Sequence, residues 1–218
     1  MEILTPLQRQ ILIAIGQTPL GRSFYLAGGT ALAAFYLQHR YSVDLDFFTA
    51  DPTAIARVPP LMQALAQRLG IAITFTRTLN TFLECFLHGP GGERVEMDFA
   101  QDTPYRLEPT RFDNAIQINV DNLTDIACNK LSALFDRAEA KDFVDVYFLC
   151  QEIFSFEQLV ELTKKKHLGI DNYWLAVALR RVEKVEFLPR MIKPLSLEEL
   201  KAFCLGHAKR LMEGIASK

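Results

Sequence analysis

The fold follows from one segment, Leu26-Ala27-Gly28-Gly29-Thr30-Ala31-Leu32, which a short connection joins to Val43-Asp44-Leu45-Asp46-Phe47. Residues Ser23–Ala27, at the start of this segment, are mostly apolar and aromatic and predict a buried strand. The two glycines that follow end this strand. The threonine can cap a helix over Ala31–Gln38. Acidic and apolar residues alternate over Asp44–Thr49 and predict the next strand. The segment therefore predicts a strand, a glycine turn, a helix and a second strand.

Asp44 and Asp46 are expected on one face of this second strand, because side chains alternate between the two faces of a strand. Leu45 and Phe47 would anchor the opposite face in the core. Two neighbouring carboxylates repel each other, and a bound cation offsets that cost. Mg²⁺, or Mn²⁺, binds carboxylate oxygens together with substrate phosphates. The pair is therefore a candidate metal site, and the alternative is two acids on a solvated surface.

The glycine turn is a candidate phosphate-binding loop. Glycines let a ligand approach the backbone closely, so the N–H groups of Gly28 and Gly29 could donate to phosphate oxygens. The Thr30 hydroxyl could donate to the same group. The alternative is a tight turn with an ordinary helix cap. The turn and the two acids together are more specific than either alone, because they would place a triphosphate beside a metal site.

Asp98 is the candidate for a third carboxylate of a two-metal site. A strand is predicted over Arg94–Ala100, in which the apolar residues share one face and leave Glu96 and Asp98 on the other. Asp98 has the more apolar neighbours, which favours a position inside the sheet. The alternative is a half-exposed edge strand with two surface acids.

The remaining pattern predicts an α+β protein of two parts. In the first part we expect two further helices and three further strands: Leu7–Gly16, Asp51 to about Leu69 with Pro52 in its first turn, Ile71–Thr78, Thr81–His88 and a short edge strand, Ile116–Val120. In the second part we expect helices only: Leu123–Arg137, Lys141–Ile153, Phe156–Lys165, Tyr173–Glu183 and Leu197–Glu213. Capping boxes support two of these helices, Ser155 with Gln158 and Ser196 with Glu199. We therefore predict a mixed α/β domain over 1–120 and a helical domain over 121–218.

Composition places the chain among ordinary globular proteins. Half of its 218 residues are hydrophobic, which is enough for a substantial core. No apolar run approaches the length of about 18 residues that a membrane span needs, and the N-terminus carries no basic export signal. The cysteines are scattered and are expected to be reduced core residues. We therefore expect a cytoplasmic protein with no membrane partner.

Charge is unevenly distributed along the chain. Residues 1–154 carry 12 lysines and arginines against 18 acidic residues, and residues 155–218 carry 12 against 8. This asymmetry favours a metal site in one part and a surface for a polyanion in the other, or else a solvated basic helix surface.

Two blocks of residues resemble the AbiEii/AbiGii-type nucleotidyltransferase family, which belongs to the DNA polymerase β-like nucleotidyltransferase superfamily. The first block is Leu26–Leu32 together with His39-Arg40-Tyr41-Ser42-Val43-Asp44-Leu45-Asp46-Phe47-Phe48. The second is Lys130-Leu131-Ser132-Ala133-Leu134-Phe135-Asp136-Arg137 with Lys141-Asp142-Phe143-Val144-Asp145-Val146-Tyr147. The resemblance implies a nucleotidyltransferase-type mixed sheet flanked by helices, followed by the helical domain. Many members of the family are toxins of bacterial toxin–antitoxin pairs.

The resemblance also implies a role for each matching position. Gly28, Gly29 and Thr30 would hold the nucleotide phosphates, and Asp44 and Asp46 would bind the metal. In the second block, Lys130 would contact the triphosphate and Asp145 would belong to the motif that completes the site.

Lys130 and Arg137 are seven residues apart and are therefore expected to share a helix face, where both could contact phosphates. Asp142 and Asp145 share a face of the next helix and could orient these cations. The alternative is a structural network of ion pairs that ties the two helices together.

The later part of the sequence offers weaker signals. Lys164-Lys165-Lys166-His167, Arg180-Arg181 and Lys184 could contact RNA phosphates, or could complement helix dipoles instead. Tyr173 and Trp174 could stack on bases or belong to the core. The histidines have no partner at ligand spacing, and we assign none of them a role.

These features lead to the hypothesis that the chain transfers a nucleoside monophosphate from an NTP to an acceptor hydroxyl and releases pyrophosphate. Two Mg²⁺ or Mn²⁺ ions held by Asp44, Asp46 and Asp98 would assist. The resemblance implies a tRNA or another RNA end as acceptor, and a cognate antitoxin protein as partner. Two alternatives are a nucleotide-binding or scaffold protein without turnover, and a nucleotidyltransferase that modifies a small molecule such as an antibiotic.

Overall fold

A computed structural model describes residues 3–216. The chain forms two compact units. The first comprises the chain up to Tyr36 together with Ser42–Asn122, and the second comprises Leu37–Tyr41 together with the chain from Leu123 onward. The domains 1–120 and 121–218 stay predictions, and their outermost residues, 1–2 and 217–218, lie outside the described part. The structure adds that Leu37–Tyr41 groups with the later unit.

The first unit is built on a mixed sheet. Its strands are β1 (Tyr25–Ala27), β2 (Leu45–Thr49), β3 (Ala72–Thr78), β4 (Phe82–His88), β5 (Arg94–Gln101), β6 (Arg111–Asp113) and β7 (Ile118–Val120). Within the described residues they form one sheet in the order β3-β4-β5-β2-β1-β7-β6. Strand β2 runs parallel to β5 and β1 runs parallel to β7, whereas the other neighbours are antiparallel.

The centre of the sheet is held by apolar side chains on one face. Along β2, buried and half-buried residues alternate, and Leu45 and Phe47 are fully buried. Phe47 stacks on Phe99 of β5 with ring centroids 5.1 Å apart, and Phe24 meets Phe99 edge-on at 5.3 Å. This packing fixes the strands in place and directs the alternate residues, Asp46 among them, to the opposite face.

The sheet corrects one predicted strand and adds another. Ile116–Val120 was expected as an edge strand, but the strand covers Ile118–Val120 and lies inside the sheet, between β1 and β6. The edge strand is β6, which was not predicted, because three residues with the sequence Arg-Phe-Asp are too short to show an alternating pattern.

The helices of the first unit are α1 (Pro6–Gly16), α2 (Leu20–Ser23), α3 (Gly28–Leu32), which continues as a π-helix over Ala33–Leu37, and α4 (Ala54–Leu69). Helix α3 begins at Gly28, so Thr30 lies inside it and is not the cap that we expected. Helix α4 begins at Ala54, after the predicted Pro52, and ends at Leu69, before Gly70, whose φ of 66° suits glycine.

The second unit is helical. Its helices are α5 (Leu123–Asp136), α6 (Ala140–Glu152), α7 (Phe156–Lys166), α8 (Asn172–Arg180), a 3-10 turn (Arg181–Lys184) and α9 (Leu197–Ala216). Both predicted capping boxes are present, at Ser155 and at Ser196. Within residues 3–216, no helix is long and apolar enough to cross a membrane.

The segment Leu37–Tyr41 is tied to the second unit by backbone pairing. Arg40 forms an isolated antiparallel bridge with Met191, and the Tyr41 N–H donates to the Arg190 carbonyl oxygen at 2.9 Å. This pairing brings the side chains of His39 and Arg40 into the helical unit.

Candidate active site

A row of carboxylates crosses the polar face of the sheet in the first unit. Asp46 on β2 is the register partner of Asp98 on the parallel strand β5. Asp98 is in turn the register partner of Glu84 on the antiparallel strand β4. Neighbouring strands lie about 4.8 Å apart, so three acidic side chains stand next to one another on one face.

Two more acids extend the row toward the start of β2. Asp44 lies two residues before Asp46, and Glu96 lies two residues before Asp98 on the same face of β5. Carboxylate oxygens of Glu84, Glu96 and Asp98 lie within 4.8 Å of one another. Oxygen ligands at this density suit a divalent cation such as Mg²⁺ or Mn²⁺.

The environment of Asp98 supports this fit. Within residues 3–216, its Oδ1 atom is buried and has no hydrogen-bond partner. Burial raises the pKa of Asp98 to about 7, and the neighbouring carboxylates of Asp46 and Glu96 act in the same direction. Burial also raises the pKa of Glu96, with help from Asp44. A cation at this position would offset the repulsion and give the buried oxygen a partner.

Gly28 lies directly against the Asp46 carboxylate. Its φ is 66°, and a Cβ atom at this position would lie 1.8 Å from Asp46 Oδ2. Only glycine therefore allows both the left-handed backbone and the close approach of the acid. The glycine turn and the acidic strand, which the sequence placed together, are in contact in the first unit.

Thr30 and Gln8 hold the segment that carries Asp44. Thr30 is fully buried, and its hydroxyl donates to the Asp44 carbonyl oxygen at 2.5 Å. The Gln8 side-chain amide donates to the carbonyl oxygens of Ser42 at 3.1 Å and Val43 at 3.0 Å. Since the Thr30 hydroxyl is already engaged, its expected contact with a phosphate stays a prediction, as does that of the buried Gly29.

The second unit contains a different charged cluster, centred on Asp145, which is fully buried. Arg40 donates to both carboxylate oxygens, from Nε at 2.7 Å and from Nη2 at 2.9 Å. Lys130 Nζ lies 2.8 Å from Oδ2, and His39 Nε2 lies 2.7 Å from Oδ1. Two cations and an imidazole thus converge on one aspartate.

Asp145 is ionised in this setting. Burial alone would raise its pKa, but the ammonium of Lys130 and the hydrogen bonds from Arg40 and His39 outweigh burial and hold the pKa well below its ordinary value. Burial lowers the pKa of His39, so this ring is neutral near neutral pH and donates from Nε2. The enclosed carboxylate of Asp145 therefore holds the Lys130 ammonium group in a fixed position.

Arg137 forms a bidentate pair with Asp142. Its Nε and Nη2 atoms each donate at 2.8 Å, and Asp142 is fully buried. The Arg137 side chain is 46% exposed, whereas that of Asp142 is fully buried. The lysine–aspartate and arginine–aspartate pairs that the helix spacing suggested are both present, while their roles toward phosphate stay predictions.

The sequence did not single out Glu84, and it placed His39 and Arg40 in the first family block without assigning either of them a role. A signal for Glu84 existed, because a hairpin that turns at Gly89-Pro90-Gly91-Gly92 brings it opposite Asp98. His39 and Arg40 belong to a long-range pairing that no local pattern reveals.

Comparison with known proteins agrees with this geometry. The family model described as "Nucleotidyl transferase AbiEii toxin, Type IV TA system" matches residues 10–209. An uncharacterized protein of Aquifex aeolicus (strain VF5) is 31% identical over 165 residues, which cover 75% of this chain and 76% of that protein.

Solved structures show the same fold. MenT4, a nucleotidyltransferase toxin from Mycobacterium tuberculosis H37Rv, has a TM-score of 0.68 and 19% identity, covering 95% of this chain and 82% of that one. JHP933 from Helicobacter pylori has a TM-score of 0.60 and 19% identity, covering 97% of this chain and 91% of that one. The predicted α+β fold, a nucleotidyltransferase-type mixed sheet followed by helices, is confirmed.

The Gly28→Ala substitution tests the contact between the glycine turn and Asp46. The added methyl group should displace the carboxylate and weaken Mn²⁺ binding by about tenfold or more, measured by isothermal titration calorimetry. Gly70→Ala is the matched control: Gly70 has the same φ of 66°, but no atom of residues 3–216 lies within 4 Å of the place its Cβ would take. Both variants should lose about 1 kcal/mol of unfolding free energy from backbone strain. Unchanged Mn²⁺ affinity in Gly28→Ala would contradict the assignment.

The Asp98→Asn substitution tests the crowding of the carboxylates. An unfolded aspartic acid titrates near pH ~3.9, whereas folded Asp98 has a pKa of about 7. The folded state therefore holds an extra proton between these values, and the unfolding free energy of the metal-free protein falls as pH rises across this range. Asp98→Asn should flatten this fall and add about 1 kcal/mol at alkaline pH, after allowance for solvent screening.

Urea unfolding at several pH values, with EDTA present, measures the effect of Asp98→Asn. The control is Asp136→Asn, an exposed aspartate of α5. Added Mg²⁺ should stabilise the wild-type protein more than Asp98→Asn. If the unfolding free energy depends on pH in the same way in the wild type and in Asp98→Asn, the Asp98 carboxylate is not destabilised by burial and by its neighbours.

The Asp145→Asn substitution tests the charged cluster of the second unit. The side chains of Arg40 and Lys130 are only 4% and 8% exposed, so loss of the aspartate charge leaves buried cations uncompensated. We expect the unfolding free energy to fall by about 3 kcal/mol. Asp142→Asn should cost less, about 1 kcal/mol, because solvent reaches Arg137. Equal losses in urea unfolding would rule out the proposed difference between the two pairs.

Proposed function

Because the chain belongs to the AbiEii family of nucleotidyltransferase toxins, we propose that it transfers a nucleoside monophosphate from an NTP to a hydroxyl at an RNA end, such as that of a tRNA. The acceptor oxygen bonds to the α-phosphorus, the bond to the bridging oxygen breaks, and pyrophosphate leaves. The hydroxyl proton passes to solvent. The observation that carries this proposal is the carboxylate row beside Gly28.

Asp44, Asp46 and Asp98 would hold the Mg²⁺ or Mn²⁺ ions of this reaction. The unpartnered, buried Oδ1 atom of Asp98 and the carboxylates around it are the features that fit a divalent cation. When bound, such ions neutralise phosphate charge and favour ionisation of the attacking hydroxyl. Glu84 and Glu96 adjoin these ligands and increase the negative potential that attracts the ions.

Other residues of the chain would bind the triphosphate. The backbone N–H groups of Gly28 and Gly29 would donate to phosphate oxygens, and Thr30 supports the loop that carries Asp44. Lys130 would contribute a positive charge to the phosphates, with Asp145 positioning its ammonium group. Arg137, whose side chain is 46% exposed, would donate to the phosphates from beside Asp142.

A cognate antitoxin protein is the second expected partner. The matching family model describes a type IV toxin–antitoxin system. An enzyme that modifies cellular RNA ends would arrest growth unless it were counteracted, so we propose that such a partner restrains this chain.

The direct test is transfer of label from each NTP to bulk tRNA in the presence of Mg²⁺. Asp46→Ala should lower the rate by roughly a thousandfold, because it removes a ligand of the metal that stabilises the transferring phosphoryl group. Asp136→Ala is the matched control, an exposed aspartate outside the carboxylate row.

Each outcome of this transfer assay is informative. Transfer that survives Asp46→Ala would overturn the metal assignment. Transfer to an antibiotic hydroxyl but not to RNA would show that the acceptor is a small molecule and not an RNA end. Tight NTP binding with no transfer to any acceptor would favour a binding or scaffold protein.

A further inference from the structure

The outer side of α8 and of the following 3-10 turn carries an unusual set of exposed side chains. The residues of this stretch that pack into the helical unit are Leu175, Ala176, Ala178, Leu179 and Val182. The exposed ones are Tyr173, Trp174, Val177, Arg180, Arg181, Glu183 and Lys184, and Glu183 pairs with Arg180 at 3.7 Å. Apart from Glu183, their spacings of three, four, seven and eight residues place them on one side of the helix, which we call the aromatic–basic face.

The aromatic half of this face is open to solvent. Trp174 is 60% exposed and Tyr173 is 45% exposed. Their rings pack edge-on against each other, with centroids 5.2 Å apart. The core position that we considered for these residues is therefore wrong. Large aromatic side chains left together at a surface mark a site of interaction, because covering them removes apolar area from water.

The basic half of the face adjoins an open groove of about 580 Å³. Three cations, Arg137, Arg181 and Lys184, line this groove together with one acid, Glu186, and with Phe187, which is 80% exposed. Arg181 Nη1 also donates to the Asp136 carbonyl oxygen at 3.3 Å, which holds its guanidinium at the rim. Cations therefore concentrate at one end of the face, and aromatic rings at the other.

We propose that the aromatic–basic face binds single-stranded RNA, with bases stacking on Trp174 and Tyr173 and phosphates contacting Arg181 and Lys184. This face combines stacking surfaces with cations, as single-strand sites do, and a protein partner is the alternative that the titration below tests. A duplex would be a poor ligand, because its base faces are already stacked. This inference rests on the proposed function, in which an RNA end is the acceptor, and it assigns the surface that holds the acceptor strand.

The chain offers a direct probe, because Trp174 is its single tryptophan. The full-length protein is titrated in EDTA, without NTP, with a short unstructured single-stranded RNA, while tryptophan emission is recorded. We expect saturable quenching by RNA, and no quenching by inorganic polyphosphate, which has the charge but no bases. RNA that binds without changing the emission, or that does not bind at low salt, overturns the proposal and leaves a protein-docking surface as the alternative.

Matched variants separate a specific surface from general charge. Arg181→Ala with Lys184→Ala should weaken RNA binding by about tenfold and lower the salt dependence by about 1.4 in log–log slope. The control, Arg22→Ala with Lys209→Ala, removes one exposed arginine and one exposed lysine elsewhere and should change the affinity by less than about twofold. Equal losses in both double variants overturn the proposal.

An aromatic pair of variants tests stacking in the same way. Tyr173→Ala should weaken RNA binding by about fivefold or more, as measured by fluorescence anisotropy of labelled RNA. Tyr105→Ala is the control, because Tyr105 is 54% exposed in the first unit. A loss of the same size in both variants would contradict stacking on the aromatic–basic face.

The failure of this inference and the failure of the proposed function are distinguishable. The binding assay contains no metal and no NTP, so it does not depend on catalysis. If RNA binds at Trp174 but receives no nucleotide, RNA is not the acceptor, while the assignment of the aromatic–basic face as an RNA-binding surface stands. If the Arg181→Ala and Lys184→Ala double variant transfers nucleotide to RNA at the same rate as the wild type, the proposed function stands, and the aromatic–basic face is not the surface that holds the acceptor.

Discussion

Mutual repulsion among carboxylates is the constraint on which the first unit depends. Asp46, Asp98 and Glu84 stand side by side across three paired strands, and on the opposite face the stacked rings of Phe47 and Phe99 hold β2 against β5. The folded chain therefore holds a concentration of negative charge that an unfolded chain would disperse. A divalent cation would relieve this repulsion, and we propose that the feature that lowers stability also provides the affinity for metal.

In the helical unit, by contrast, the charge of a buried acid is compensated by neighbouring side chains. Asp145 is enclosed by Arg40, Lys130 and His39, so its charge is compensated within the folded chain itself. Such a cluster has no need of an external ion, and its use is to fix the geometry of Lys130. The first unit thus leaves its carboxylates available to a ligand. The second unit compensates its buried carboxylate with its own cations and so fixes the position of the Lys130 ammonium group.

The sequence predicted the features that depend on local alternation and failed at those that depend on distant pairing. The two faces of the acidic strand followed from period two, and the order of the motifs along the chain predicted that the glycine turn and the acids lie near each other. The position of Glu84 opposite Asp98 depends on the register of a hairpin. The position of Arg40 depends on its backbone bridge to Met191, a distant pairing that no local sequence pattern reveals. Exposure of Trp174 was equally hidden, because periodicity alone does not tell which side of an isolated helix is covered.

The metal site is tested most directly by an anomalous difference map from crystals of the protein grown with Mn²⁺ and a non-hydrolysable NTP analogue. We predict a manganese peak within about 2.2 Å of carboxylate oxygens of Asp46 and Asp98, with the triphosphate bound to the same ion. A peak held only by Glu84 and Glu96, or no peak on this face of the sheet, would contradict it.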